Sequence, residues 1–365
     1  MAKDAPAPAP PNEWRPSANP WLIAVAVMLA TFMEVLDTSV ANVSLPHIAG
    51  NLSASTDEAT WVLTSYLVAN AIILPATNWL GQLIGRKRFL ISCIIIFTLA
   101  SALCGIASSL GFLIVARVLQ GAGGGALQPI SQAVLLESFP PQKRGAAMAV
   151  FAMGVVVAPI LGPTLGGWIT DNYSWRWIFY INLPIGTMAV LMVNAVVEDP
   201  PYLKRISAAN IDYIGFGLLS VWLATLQYML DKGQELDWFS SPPIVWCAVI
   251  SAGSFVALIV RELTAEFPIV DLRVLKNRNF AVGAAMILLL GGLLYGTTAI
   301  LPLFMQNLLH YTALDAGIAM SPRGIGALVM TIIVGRIVGK VSNKLLIGSG
   351  FLLLGYSCFM LGNIN

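Results

Sequence analysis

The sequence predicts an all-helical protein that crosses a membrane many times, and three observations predict it. Hydrophobic residues make up 57% of the 365 and charged residues 10%, with a mean hydropathy of +0.79; soluble domains carry roughly 25% charge. Apolar runs of about 20 residues recur along almost the whole length, each long enough as a helix to cross a core of about 30 Å. Short connections between the runs alternate between basic and nearly charge-free. Lipid offers no partner to backbone N–H and C=O groups, so the runs must be helices rather than open strands.

Taken in order, residues 1–20, with the Ala-Pro repeat from Ala5 to Pro11, read as a polar disordered tail. The tail lacks a cleavage pattern, and the run from Trp21 is too long for a signal-peptide core, so the first span is expected to remain in the mature chain. Six spans follow in residues 21–200: Trp21–His47, Ala59–Leu80, Phe89–Ser108, Leu110–Leu136, Ala146–Ile169 and Ile178–Val197. Residues 201–265 hold two more, Ile211–Leu230 and Ile244–Val260, and residues 266–365 hold Phe280–Leu303, Ala316–Val338 and Leu345–Leu361.

Charge placement supports this count. Of the 20 Lys and Arg residues, 16 lie in the tail or at every second connection, from Arg86-Lys87-Arg88 through Lys143-Arg144 and Lys204-Arg205 to Lys344. The alternate connections hold only Arg176 and Lys232, and Arg117 and Arg323 fall inside spans. By the positive-inside rule the tail and the basic connections face the cytoplasm. One missed helix would scramble that asymmetry.

A weak internal repeat is also present. Leu45-Pro46 and Gly85-Arg86 recur as Leu301-Pro302 and Gly339-Lys340, offset by 256 and 254 residues. Six spans need only about 190 residues at about 20 per span plus connections, so the surplus accommodates two inserted helices between parallel six-span halves. Six, two and six make fourteen, and an eleven-span chain is expected to lack its last three spans and not to transport by itself.

Glu34 and Asp37 are the residues expected to carry chemistry. They sit near the middle of the first span at i, i+3 spacing, which places them on one face. A carboxylate near the bilayer centre costs at least about 2.5–3.5 kcal/mol, so it is expected to face a cavity and carry a proton. Arg117 lies at a comparable depth in the fourth span, where a permanent charge would bias protonation of Asp37. Arg117, Gly121, Gly124, Gln128 and Ser131 read as one stripe facing a cavity or the first helix. Thr38, Asn42, Gly121, Gln128 and Arg323 are candidate cavity residues, with Arg323 balanced between lining the cavity and a structural role. The string Ala158-Pro159, Gly162-Pro163, Gly166-Gly167 suits close helix packing that can rock between two arrangements. Asp212 suits a helix N-terminus. His47 and His310 each end a span and are assigned no role.

Some chemistry is absent from the pattern. Cys93, Cys104, Cys247 and Cys358 have no metal-ligand or disulfide spacing. No G-x-x-x-x-G-K-[ST] phosphate loop occurs, so no cofactor is expected and the energy source would be an ion gradient. Neither an enzyme nor a nucleic-acid partner is expected.

Five strings carry a resemblance. Ser174-Trp175-Arg176-Trp177-Ile178-Phe179-Tyr180-Ile181-Asn182-Leu183-Pro184-Ile185-Gly186 resembles the corner between spans 5 and 6 of the 14-span drug:proton antiporter family, the EmrB/QacA-type branch of the major facilitator superfamily. Leu36-Asp37-Thr38 through Leu45-Pro46 resembles the family's acidic first-span motif. Asn78-Trp79-Leu80-Gly81-Gln82-Leu83-Ile84-Gly85-Arg86-Lys87 resembles its basic loop. Arg117 to Gly123 resembles its fourth-span motif, and Gly154 to Gly167 its antiporter motif. Together they cover spans 1 to 6 in order.

The resemblance implies a major facilitator fold with two six-span halves plus two inserted spans. It implies proton-coupled efflux of amphipathic, often cationic drugs or dyes from the cytoplasmic (inner) membrane. Gly81, Gly85, Arg86, Lys87, Pro159, Gly162, Pro163, Gly166 and Gly167 would then serve gating. On the EmrB side of the family, a periplasmic adaptor and an outer-membrane channel would be partners. One departure stands out: Gln82 and Leu83 replace the usual Asp and Arg, so the cytoplasmic carboxylate ion pair is expected to be missing. A nutrient, metabolite or siderophore transporter on the same fold is the alternative, and a membrane enzyme or sensor a more distant one.

Overall fold

A computed structural model describes residues 16–200, 211–337 and 341–361. Residues 1–15, Lys204, Arg205 and Lys340 lie outside the described residues. Every expected span is helical. The first is α1 (Pro20–Asn51), started by Asn19, whose side chain accepts the Trp21 N–H. A short α2 (Thr56–Ala59) carries a Ser55/Glu58 capping box and leads into α3 (Trp61–Ile84). Next come α4 (Arg86–Gly105), α5 (Leu110–Gly124), α6 (Leu127–Ser138) and α7 (Pro141–Asn172), then α8 (Trp177–Tyr180) and α9 (Asn182–Val196). The remainder is α10 (Tyr213–Lys232), α11 (Pro242–Thr264), α12 (Arg278–Asn307), α13 (Ala313–Ile337) and α14 (Asn343–Leu361). Among the described residues, nine stretches are long and apolar enough to cross a membrane.

Two spans are broken where the sequence reads as continuous. The fourth is interrupted at Gly125–Ala126, between α5 and α6. A Cβ on Gly125 would stand 2.5 Å from the Asn70 carbonyl oxygen, so the helix backbones meet there. The sixth is interrupted at Ile181, between α8 and α9. Helix α7 runs unbroken through Pro159 and Pro163.

The first six spans pack around two apolar clusters. Ile23, Val27, Leu90, Ile94, Phe97, Leu127 and Phe151 belong to one. Leu36, Leu45, Ile48, Leu113, Trp175, Ile178 and Phe179 belong to the other. Along α1 the first ends at Met33 and the second begins at Leu36; along α4 the change falls between Phe97 and Cys104, and on α9 around Ile185. Polar side chains are collected at that seam.

The pair α10–α11 is held together by the Trp222–Phe255 rings and by Arg261 on Asp212. It meets α3 through Trp61–Tyr228 and Trp79–Phe216. As expected, Asp212 is the N-cap of α10, accepting the Gly215 N–H at 2.9 Å.

Among the described residues, the α3–α4 junction, the end of α6 and the residues after α9 meet at one end of the bundle. There Gly85, at φ +94°, separates α3 from α4, a conformation that favours glycine. The Asp199 carboxylate accepts the Lys87 N–H at 2.8 Å and sits where a Gly85 Cβ would be. Lys87 Nζ donates to the Asn194 carbonyl at 2.7 Å, and Arg86 pairs with Glu137. The expectation of a basic loop without carboxylate partners is therefore corrected. Glu137 at the end of α6 and Asp199 beyond α9 supply the charge that Gln82 does not.

Candidate functional site

Asp37 is 2% exposed and Arg117 0%, in the middle of the bundle. Arg117 Nη1 donates to Asp37 Oδ2 at 2.6 Å, and Arg117 Nε donates to the Val62 carbonyl at 2.9 Å. Gln120 links the two: its Oε1 accepts from Arg117 Nη1 at 2.7 Å, and its Nε2 donates to Asp37 Oδ1 at 2.9 Å. Asn182, the first residue of α9, donates to the same Oδ1 at 2.7 Å and to Ser101 Oγ at 2.9 Å. The carboxylate thus receives three donors from two spans, and the cluster lies at the seam between the apolar clusters. A buried ion pair of this kind holds only while its remaining donors and acceptors are matched. Removing one partner costs about 3–5 kcal/mol.

Glu34 and Asp37 share a face of α1 but have different partners. Tyr66 Oη donates to Glu34 Oε1 at 3.1 Å, with Asn70 Nδ2 at 3.4 Å. The Tyr66 ring lies 4.3 Å from the Arg117 guanidinium carbon, so one tyrosine touches both charged centres. Glu34 Oε2 and Arg117 Nη2 are buried with no hydrogen-bond partner among the described residues.

Beside this cluster lies a cavity of about 30 Å³, lined by Thr38, Asn42, Leu63, Leu67, Arg117, Tyr295 and Ala299. That holds about two waters, far below the 300–1,000 Å³ of a drug-sized site. Thr38 and Asn42 line it, each bonded back to the α1 carbonyl four residues earlier.

Three candidate cavity residues lie elsewhere. Gly121 faces the backbone of α3 at Tyr66, where a Cβ would collide with the carbonyl; the fourth-span helices need the missing side chain to approach that closely. Gln128 is exposed and lies past the break at Gly125–Ala126. Arg323 is exposed and donates to the Leu294 carbonyl at 3.3 Å. The presumed stripe assumed one straight helix, and the break divides it.

The span 5 string is placed by what it touches. Gly162 packs on Ser39 and Gly166 on Val40, both of α1, while Gly167 packs on Ala313 and Leu314 of α13. Gly317 answers against Pro163, and Thr164 Oγ1 lies 2.7 Å from Ser321 Oγ. Pro159 is exposed. Gly81 makes ordinary contacts with Ile130 and Phe89.

The motifs had not singled out Gln120, Asn182, Tyr66 or Asn70. Gln120 lies inside the Arg117–Gly123 string and Asn182 inside the Ser174–Gly186 string without a role attached to either; for Tyr66 and Asn70 a phenol or amide inside an apolar run is the only signal.

Residues 27–365 match the profile of the Major Facilitator Superfamily. The chain is 44% identical over 338 residues to the multidrug export protein EmrB of Escherichia coli (strain K12), covering 93% of this chain and 65% of that one. It is also 44% identical to the fatty acid resistance protein FarB of Neisseria gonorrhoeae, over 92% of this chain and 66% of that one. The chain therefore spans slightly less than two thirds of the length of these curated relatives. A crystal structure of a peptide transporter POT in complex with sulfate superposes with a TM-score of 0.61 at 14% identity, over 88% of this chain and 70% of that one, a likeness of fold alone. With its helical spans, its buried Asp37–Arg117 pair and this match over nearly its whole length, the chain belongs to the Major Facilitator Superfamily.

Proposed function

We propose that this chain is the core of a proton-coupled exporter of amphipathic compounds, with Asp37 as the proton-carrying group. The observation that carries the reading is the Asp37–Arg117 ion pair, buried at the seam, with Arg117 lining the cavity. A proton on Asp37 removes the charge that fixes Arg117 Nη1. Arg117 then rests on Val62, Gln120 and the Tyr66 face, and the link between α1 and α5 loosens. Loss of the proton restores it. A change in one span pairing is how a local charge event biases a two-state packing.

The names of the relatives support drugs as the substrate class. The 16-to-2 split of basic residues supports a cytoplasmic position for the basic end, and the reading sets the protein in an inner membrane. The EmrB-like sequence extends the proposal to a periplasmic adaptor and an outer-membrane channel as partners, which co-purification would test.

The deciding experiment uses the protein at the full length of its curated relatives, in inverted vesicles with a preformed acid interior and a lipophilic cationic dye. The dye should dissipate the pH gradient as it accumulates, and Asp37→Asn should accumulate none while inserting normally. Gradient-driven transport by Asp37→Asn at the parent rate would overturn the coupling role. Dye moving in the direction of the proton would instead indicate a symporter.

A further inference from the structure

Asp171 sits in the last turn of α7, at the end opposite the basic connections. Its Oδ2 accepts the backbone N–H of Leu314 at 2.9 Å. Leu314 is the second residue of α13, and the first amides of a helix have no partner within it. The positive end of the helix dipole adds attraction for a carboxylate. Thr312 and Asp315 bond to each other across the same helix start, so Asp171 completes the cap from the other half of the protein.

What surrounds this contact makes it a hinge point. One turn back, Gly167 lies against Ala313 and Leu314, and Gly317 lies against Pro163. Further down, Gly324 lies against Ile160, so α7 and α13 are zipped through small residues along their halves farthest from the basic end. At the same end Gln306 of α12 donates to the Val43 carbonyl of α1 at 3.0 Å. His47 Nε2 stands 3.7 Å from Asp171 Oδ1, bringing the end of α1 to the same carboxylate. Ends of α1, α7, α12 and α13 therefore close together at the mouth above Asn42 and Ala299.

We propose that Asp171 is the latch of the outer gate. In the outward-closed form its carboxylate caps α13 across the interface between halves, and it must release that cap for the cavity to open outward. The proposal rests on the orientation given above and needs no assumption about the substrate.

The test is labelling of a cavity cysteine, Ala299→Cys, by a membrane-impermeant maleimide on intact cells, with the four native cysteines replaced by serine. Asp171→Ala should raise the labelling rate roughly tenfold, the factor by which one charge-assisted hydrogen bond shifts an equilibrium. Asp171→Asn should fall between, because its amide oxygen still accepts from Leu314. Leu314→Pro removes the same bond from the donor side at a helix position that tolerates proline, and should reproduce Asp171→Ala. An unchanged rate in both Asp171→Ala and Leu314→Pro would overturn the latch. A cysteine at fully buried Ala41 must stay unlabelled in each variant; where it does not, that variant has lost its fold and the other decides. Ser55→Cys reports orientation separately. If it labels only from the other face, the orientation falls, and the same rates measured on inverted vesicles decide the latch.

Discussion

Arg117 tests the difference between charge and shape. Its guanidinium serves Asp37, the Val62 carbonyl and Gln120 at once, with Tyr66 beneath it. A lysine keeps the charge but is a point donor without the planar fork. Arg117→Lys should therefore keep the protein folded but lower gradient-driven transport by at least about tenfold, since a buried pair missing part of its network loses on the order of 1–3 kcal/mol. Vesicle transport alongside a thermal melt checks this; parent-level transport would show that charge alone suffices. Asn182→Leu removes one of three donors to Asp37, and should slow transport less than Arg117→Lys does. Asp37, Glu34 and Arg117 were legible because charge inside an apolar run is costly and therefore conspicuous. Gln120 and Asn182 cost less to bury, and nothing in their spacing says that they converge on Asp37 from two spans.

At the scale of the element, spans were legible and their interruptions were not. Length and hydropathy fix where a helix must cross, but the break at Gly125–Ala126 falls where the backbone of the fourth span meets Asn70 of α3, a tertiary contact. A second approach of the same two spans, Gly121 on the Tyr66 carbonyl, explains why Gly121 belongs to packing rather than to the cavity. Gly121→Val should push α5 away from α3 and lower the melting temperature by several degrees, overpacking costing about 1–3 kcal/mol. Gly111→Val, in the same helix but with open space around it, should melt within about a degree of the parent. Detergent-solubilised melts followed by size-exclusion profiles compare them. Equal melting temperatures would mean that α3 and α5 are not in tight contact at Tyr66.

For the whole molecule, the alternation of basic connections was the most informative pattern in the sequence, because 16 basic residues must agree before it appears. The structure gathers the α3–α4 junction, the end of α6, the start of α7 and the residues after α9 at one end, where Arg86, Lys87, Glu137, Asn194 and Asp199 interlock. His47, Asp171, Arg176 and Lys232 occupy the other. Even Arg176, the exception in its connection, is held by the Ala107 carbonyl and the Trp175 ring rather than left free. Single cysteines at Ser55, Asn172 and Glu235 should therefore react with an impermeant maleimide on intact cells, whereas cysteines at Arg88 and Lys143 should react only after the membrane is opened. All five side chains are exposed, so a failure to react reports sidedness rather than burial. Lys143 and Asn172 bound a single helix, so labelling of both from the same side would mean that α7 does not span. The alternation from which the orientation was argued would then have to arise from something other than the membrane.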